Sequence, residues 1–511
     1  MKYGHFLKNR WSGGTDLERR HAMSNNIRSD YPARRTRLVH ATAVIMLLVG
    51  TILMPVANAK NTADRIPAIS VATTVPDDAG KPSPAATSSS SIYTINWMGH
   101  WYKADKRYDL VLEMMRDFSF RNQDTKVNLQ FPEQIVGTND KVVVARLIVE
   151  MIKQKKYDWD IVWMDNHIYQ FVAEELNDPF WGRKHLVNFE QIPGFVQSQK
   201  PFIIEDPSYR NQTGGILVGP YLEGYYYALY YNRDLAAKMG IQVKPFGMTF
   251  EDLLGYVKAA AHYNQNAKDK IPIFFDAYDL PSMEALFQNL AKSWINDYAA
   301  TTTEQSSPQK LEAMYKGFQA FEELGKYRPL IPSYATNAWF LTRDVPLNDK
   351  VLFYISGTWM YSRWRDIDVA KSAKMVPTEL PVFEPVNYGL GGFITTWAVM
   401  KDSPHREAAV RLIMSISTPR VAEKWVQYTK TPTGVAGDFS KATLGSDMYE
   451  AYQRTLSEKY GSRAQYSFNA AYLLGKNNSL LQKDLVDVLW KLLEGKMTAD
   501  QAQRSILAKM R

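Results

Sequence analysis

Large aromatic rings and short polar groups recur together in this 511-residue chain, at the ends of apolar runs. Trp97, His100 and Trp101 lie at or just past the end of the alternating run 91–97. Asp165 and Asn166 follow the apolar run 159–164. Glu223 and Tyr225 are two residues apart, which on a strand puts them on one face. Asp276 and Tyr278 follow Ile271–Phe275, Trp359 and Tyr361 follow Gly357, and Gly392 belongs to a Gly391-Gly392 pair. Aromatic platforms, carboxylates and amides can hold a small ring that has an apolar face and an equator of hydroxyls. That chemistry is reversible recognition and breaks no bond.

Each residue also has a plainer reading. Trp97 suits a strand core. Asp165 and Asn166 suit the start of a helix. Asp276 and Tyr278 suit a surface turn, and Trp359 suits packing between elements. Gly391 and Gly392 allow close backbone approach or hinge flexure. Catalytic motifs are missing: no GxSxG, HExxH, P-loop or dinucleotide fingerprint occurs. The five histidines past residue 59 (His100, His167, His185, His262, His405) show no paired metal spacing. Asp276 and Asp279 could be read as a glycosidase pair, but among so many carboxylates a chance pair is expected. A hydrolase is the least favoured reading; no enzyme activity, metal or cofactor is expected.

The elements that must position these residues alternate. Strands are expected at 91–97, 126–131, 159–164, 215–220, 225–231, 271–275 and 351–357, and helices near 106–121, 141–154 and 311–324. Thr249 with Asp252, and Asn232, read as helix N-termini. Past Lys401 the chain is expected to be mostly helical to its end. This alternation predicts an α/β protein with mainly parallel sheet.

The charge is unevenly distributed. Residues 1–59 carry nine Lys and Arg against three acids, +6 of the total +8. The rest is nearly neutral, without the clustered basic face that nucleic acid requires. Arg34, Arg35 and Arg37 precede an apolar run, 41–57, and Ala57-Asn-Ala59 offers a cleavage site. Residues 1–59 are therefore expected to be a signal peptide, with Met1 or Met23 as the start. Residues 60–91 are rich in Pro, Ser and Thr and read as a flexible linker. The chain has no cysteine. This excludes disulfides and a lipid-modified Cys anchor, and points to a soluble protein in a Gram-negative periplasm.

Leu229-Tyr-Tyr-Asn-Arg-Asp-Leu235, Met248-Thr-Phe-Glu-Asp-Leu253, Tyr354-Ile-Ser-Gly-Thr-Trp359, Gly391-Gly-Phe-Ile-Thr-Thr-Trp-Ala-Val-Met-Lys401 and Pro404–Ala409 occur in this order. With Tyr157–Val162 and Leu493–Ala502, they resemble the extracellular solute-binding proteins of ABC importers, the family that includes maltose-binding protein. The resemblance implies the two-lobe (type II) periplasmic-binding-protein fold, with a mainly parallel sheet in each lobe and hinge strands between them. It implies an N-terminal lobe of 92–226 plus 393–440 and a C-terminal lobe of 227–392 plus 441–511. It implies a ligand cleft reached by Glu223 and Tyr225 at the hinge, by Asp276 and Tyr278, and by Trp359 as a stacking platform. The implied function is the carbohydrate-binding component of a sugar importer, a monomer partnered by permease subunits. A periplasmic sensor, or a binder of a polyol, polyamine or other polar solute, stays open beside it. Position 250 departs from the family, with Phe where Trp is common.

Overall fold

The computed structural model describes residues 93–277, 282–294, 308–330, 342–383, 391–443 and 479–510. The leader, the linker and Tyr278 lie outside the described residues. Among the described residues, no helix is long and apolar enough to cross a membrane.

In chain order the strands are β1 (Tyr93–Met98), β2 (Thr125–Gln130), β3 (Ile161–Trp163), β4 (Glu223–Asn232), β5 (Phe353–Gly357), β6 (Met375–Thr378), β7 (Gly391–Ile394) and β8 (Trp397–Val399). The principal helices are α1 (Arg107–Arg121), α2 (Lys141–Gln154), α3 (Asn166–Leu176), α4 (Phe250–Asn266), α5 (Met283–Ser293), α6 (Pro308–Gly325), α7 (Trp359–Ile367), α8 (Arg406–Ile416), α9 (Pro419–Thr429), α10 (Ser479–Leu493) and α11 (Ala499–Met510).

The first sheet has the order β2-β1-β3-β8. β1 runs parallel to β2 and β3, while β8 returns antiparallel beside β3. All three residues of β3 are buried, as befits a strand covered on both faces. In the second sheet the long β4 pairs antiparallel with β5, β6 and β7. Among the described residues, parallel pairing there is confined to single bridges, at Phe274 with Leu330 and Phe353, and at Thr249 with Val382. The expected strand at 271–275 thus shrinks to the bridge at Phe274, because Pro272 has no N–H to offer a ladder. The expected strand at 215–220 is a buried loop: Gly214 and Gly215 turn the chain at φ 68° and 88°, and Pro220 closes the segment without a donor.

Each sheet has its own apolar core. Ile95, Trp97, Trp397, Leu412 and Trp425 belong to the core of the first sheet. Leu229, Phe274, Phe287, Phe318, Ile355 and Leu489 belong to that of the second. The chain passes between the two along β4 and again between β7 and β8. Helix starts follow local chemistry: Asn232 Oδ1 accepts from Leu235 N at 3.0 Å, and Thr249 and Asp252 form a reciprocal capping box.

Candidate ligand site

Two helices beside the β1 and β3 ends begin with a cation. α1 opens on Arg107 after Lys106, and α2 opens on Lys141 after the N-cap Asp140. Positive charge at a helix N-terminus opposes the macrodipole by about 0.3–1 kcal/mol, so a local anion is needed at each. Arg107 has two. Its Nε and Nη2 donate to Asp105 at 3.0 and 2.6 Å, and its Nη1 donates to Glu223 Oε1 at 2.7 Å. Lys141 Nζ pairs with Asp165 Oδ2 at 2.7 Å. Asp165 Oδ1 also accepts from Ile168 N at 2.9 Å and so caps α3.

These groups polarise one another. Burial alone would raise the Asp165 pKa, but Lys141, His167 and the Ile168 N–H together outweigh it and bring the carboxyl down to about 2. Burial also works against the Asp105 carboxylate, and Arg107 again reverses the balance, lowering its pKa. Glu223 keeps a raised pKa, because its burial outweighs the Arg107 charge. The Trp425 indole N–H lies near the same carboxyl, yet Glu223 Oε2 has no well-aligned hydrogen bond. His100 stacks on Trp163 with ring centres 4.2 Å apart and planes 16° apart. Burial and then the Arg107 charge push its pKa down to about 3, against the pull of Asp165. His167, beside Lys141 Nζ at 3.2 Å, is lowered to about 4, first by burial and then by that cation. Both imidazoles are neutral at physiological pH.

The wall built on the second sheet is aromatic. Tyr225 is half-buried, opposite Gly392 in the β4–β7 register. A β-carbon on Gly391 would stand 2.3 Å from Tyr225 O, so the first glycine of the pair is required by close approach. Burial raises the Tyr225 pKa, and Asp165 and Glu223 raise it further, so its hydroxyl shares their field. The Trp359 ring lies 5.5 Å from both Tyr225 and Tyr227. A β-carbon on Gly357 would stand 1.9 Å from that indole. β5 therefore ends in glycine so that Trp359 can fold back over it.

The structure brings His100, Asp165, Glu223, Tyr225, Trp359 and Gly392 into one neighbourhood, with Asn166 half-buried at the first turn of α3. Asp165 is both a helix cap and a member of this group. Three other expectations are corrected or left apart. Trp97 is fully buried in the first core, edge-on to Trp397 at 5.0 Å, and so has no cleft-facing surface. Asp276 is also fully buried: it accepts from Ala277 N, Ser282 N, Ser282 Oγ and Trp490 Nε1. It ties the start of α5 to α10 and is neither a surface turn nor open to a ligand; burial pushes its pKa up to about 6 against those donors. Tyr361 is half-buried under the Arg365 guanidinium, 5.4 Å from its ring, and joins none of the groups above. Tyr278 lies outside the described residues.

Sequence reasoning missed Arg107, Asp105, Lys141 and Trp163. One signal was available: two helices that start on a cation carry a local penalty that some unseen anion must offset. Among the described residues no cluster of His, Cys, Asp and Glu could hold a metal ion. A separate shallow groove runs between α1 and α9, bridged by ion pairs Lys424–Glu113 and Arg420–Asp117, and none of the site residues lines it.

The family profile of bacterial extracellular solute-binding proteins matches residues 123–442. A chitin oligosaccharide binding protein is similar in structure, with TM-score 0.63 and 14% identity over 82% of this chain and 98% of its own. The GacH receptor of Streptomyces glaucescens GLA.O, solved unliganded and with acarbose, gives TM-score 0.59 and 13% identity over 82% and 98%. Maltose-bound MalE3 of T. maritima gives 0.57 and 15% over 82% and 98%. At these identities the likeness establishes the two-lobe fold. No curated protein sequence matches the chain.

Proposed function

The chain belongs to the bacterial extracellular solute-binding protein family, and on that premise we propose that it captures a carbohydrate between its lobes and delivers it to the permease of an ABC importer. The observation that carries this reading is the packing of Trp359 against Tyr225, ring centres 5.5 Å apart, with the Asp165 and Glu223 charges acting on the Tyr225 hydroxyl. Rings take the apolar face of a sugar, and ionised acceptors take its hydroxyls. Trp359 is the stacking platform, Tyr225 the second ring, and Asp165, Asn166 and His100 line the opposite wall. Glu223 is buried behind this wall and holds Arg107 in place. Gly392 keeps the backbone open beside Tyr225.

The lobes are assigned as 92–226 plus 393–440 and 227–392 plus 441–511. The membership of the two cores supports this division, with β4 and the β7–β8 passage as hinge. Closure about that hinge would bring both walls onto the solute. The protein works as a monomer in the periplasm after its leader is removed, binds no nucleic acid, and performs no catalysis.

A thermal-shift screen of the purified protein against mono- and oligosaccharides, polyols, amino acids and polyamines tests the reading. A ligand at about a hundred times its Kd adds about 2.7 kcal/mol of stability. A response to one sugar class supports the proposal; a response only to amino acids or polyamines removes the carbohydrate claim. Delivery to a permease, as opposed to signalling, is tested by uptake of that sugar in cells lacking the protein.

A further inference from the structure

α7 stands on the second sheet, yet both of its polar arms reach the first. Arg363 Nη1 donates to the carbonyl of Ala104 at 2.7 Å, across 259 positions of chain. Its Nε and Nη2 are held by the Asp344 carboxylate at 2.9 and 2.5 Å, so the guanidinium is aimed before it meets its acceptor. One turn on, Asp366 Oδ2 accepts from Lys106 N at 3.3 Å and from the Tyr428 hydroxyl of α9. Lys106 Nζ lies 5.8 Å from the centre of the same tyrosine ring.

The receiving segment, 101–107, also builds the ligand site. Between the two clasped residues, Ala104 and Lys106, stands Asp105, which holds Arg107; Arg107 in turn reaches Glu223. Trp101 and Lys103 have φ of 68° and 47°, in the left-handed region that bulky side chains avoid. A strained segment of this kind keeps its shape only where neighbours hold it. Trp425, Trp397 and Arg107 hold the Trp101 side chain; Arg363 and Asp366 hold the backbone beyond it.

We infer that Arg363, with Asp366 as its second arm, is a clasp that sets how much of the protein is closed. Arg363 is a positioning residue: it acts through Ala104 and its neighbour Asp105 and joins none of the proposed ligand-contacting groups. Its effect on affinity rests on the ligand-cleft reading above, but its effect on closure does not. A closed form that is more populated binds more tightly in proportion.

The absence of cysteine makes the test clean. Nitroxide labels at Lys153→Cys and Glu251→Cys, both exposed, report the distance between the two halves by pulsed electron resonance in the ligand-free protein. The closed-distance fraction should fall about fivefold or more in Arg363→Ala, with Arg363→Lys in between. Melting curves accompany each variant, since a merely structural role would lower the midpoint and leave the distances alone. Should Arg363→Ala fail to fold, Asp366→Ala with Tyr428→Phe removes the other arm and carries the same expectation. Equal closed fractions in wild type and variant, or no closed form in either, overturns the inference. A failed sugar screen would leave this distance measurement standing.

Discussion

Arg107 and Glu223 are joined at 2.7 Å with both side chains buried, linking the first residue of α1 to the first residue of β4. This pair ties the cation-bearing wall to the strand on which the chain leaves its first core. Breaking a buried pair from one side is expensive, because the surviving charge is left uncompensated. Arg107→Ala should therefore lose about 3–5 kcal/mol in urea unfolding. Glu223→Gln, whose amide oxygen still accepts from Arg107, should lose only about 1 kcal/mol. Equal losses would mean that the ion pair does not organise the site.

The two rings should matter for binding more than for folding. Once a ligand is found, Tyr225→Ala and Trp359→Ala should each weaken it by about tenfold or more in titration calorimetry. Gly357→Ala should do the same without touching a ring, since its β-carbon would occupy the space of the Trp359 indole. Unchanged affinity in Gly357→Ala would show that the ring can relocate at no loss.

Asp276 should behave in the opposite way. Asp276→Ala strands two backbone N–H groups, a hydroxyl and the Trp490 indole, and should cost about 2–4 kcal/mol of stability. Calorimetry on the folded fraction should find ligand affinity unchanged. A loss of affinity at full folding would return Asp276 to the binding site.

His100 gives a pH signature. Its folded pKa, about 3, lies below the ordinary 6.5, so the unfolded chain takes up the proton first. Its contribution to stability is complete above about pH 6.5 and is lost as pH falls towards 3. His100→Gln lacks this loss. The melting difference between wild type and variant should be flat above neutrality and move in favour of the variant on acidification. A pH-independent difference would mean that the histidine takes up its proton equally readily in the folded and the unfolded chain.

Local chemistry was readable along the chain wherever one element decides the outcome. The 3.6-residue spacing of 141–154 gave its helix residue for residue, and the Thr249–Asp252 box formed as its side chains require. Segments whose state depends on partners were less legible. Residues 215–220 are apolar enough for a strand but have none to pair with across Gly214, Gly215 and Pro220. For the same reason Trp97 and Trp359, identical in side chain, could not be told apart before the fold was known. One points into a closed core and the other is folded back over Gly357.

By itself, then, the sequence determined the α/β alternation, the helix caps, the family and the aromatic and acidic residue types at strand ends. All of these rest on neighbours a few positions apart or on ordered motifs. Only the tertiary structure decided which of those residues meet. Arg107 finds Glu223 across 116 positions and Arg363 finds Ala104 across 259. Such pairings depend on how the strands that cross between the two cores set one half against the other, and no local pattern of residues encodes that distance.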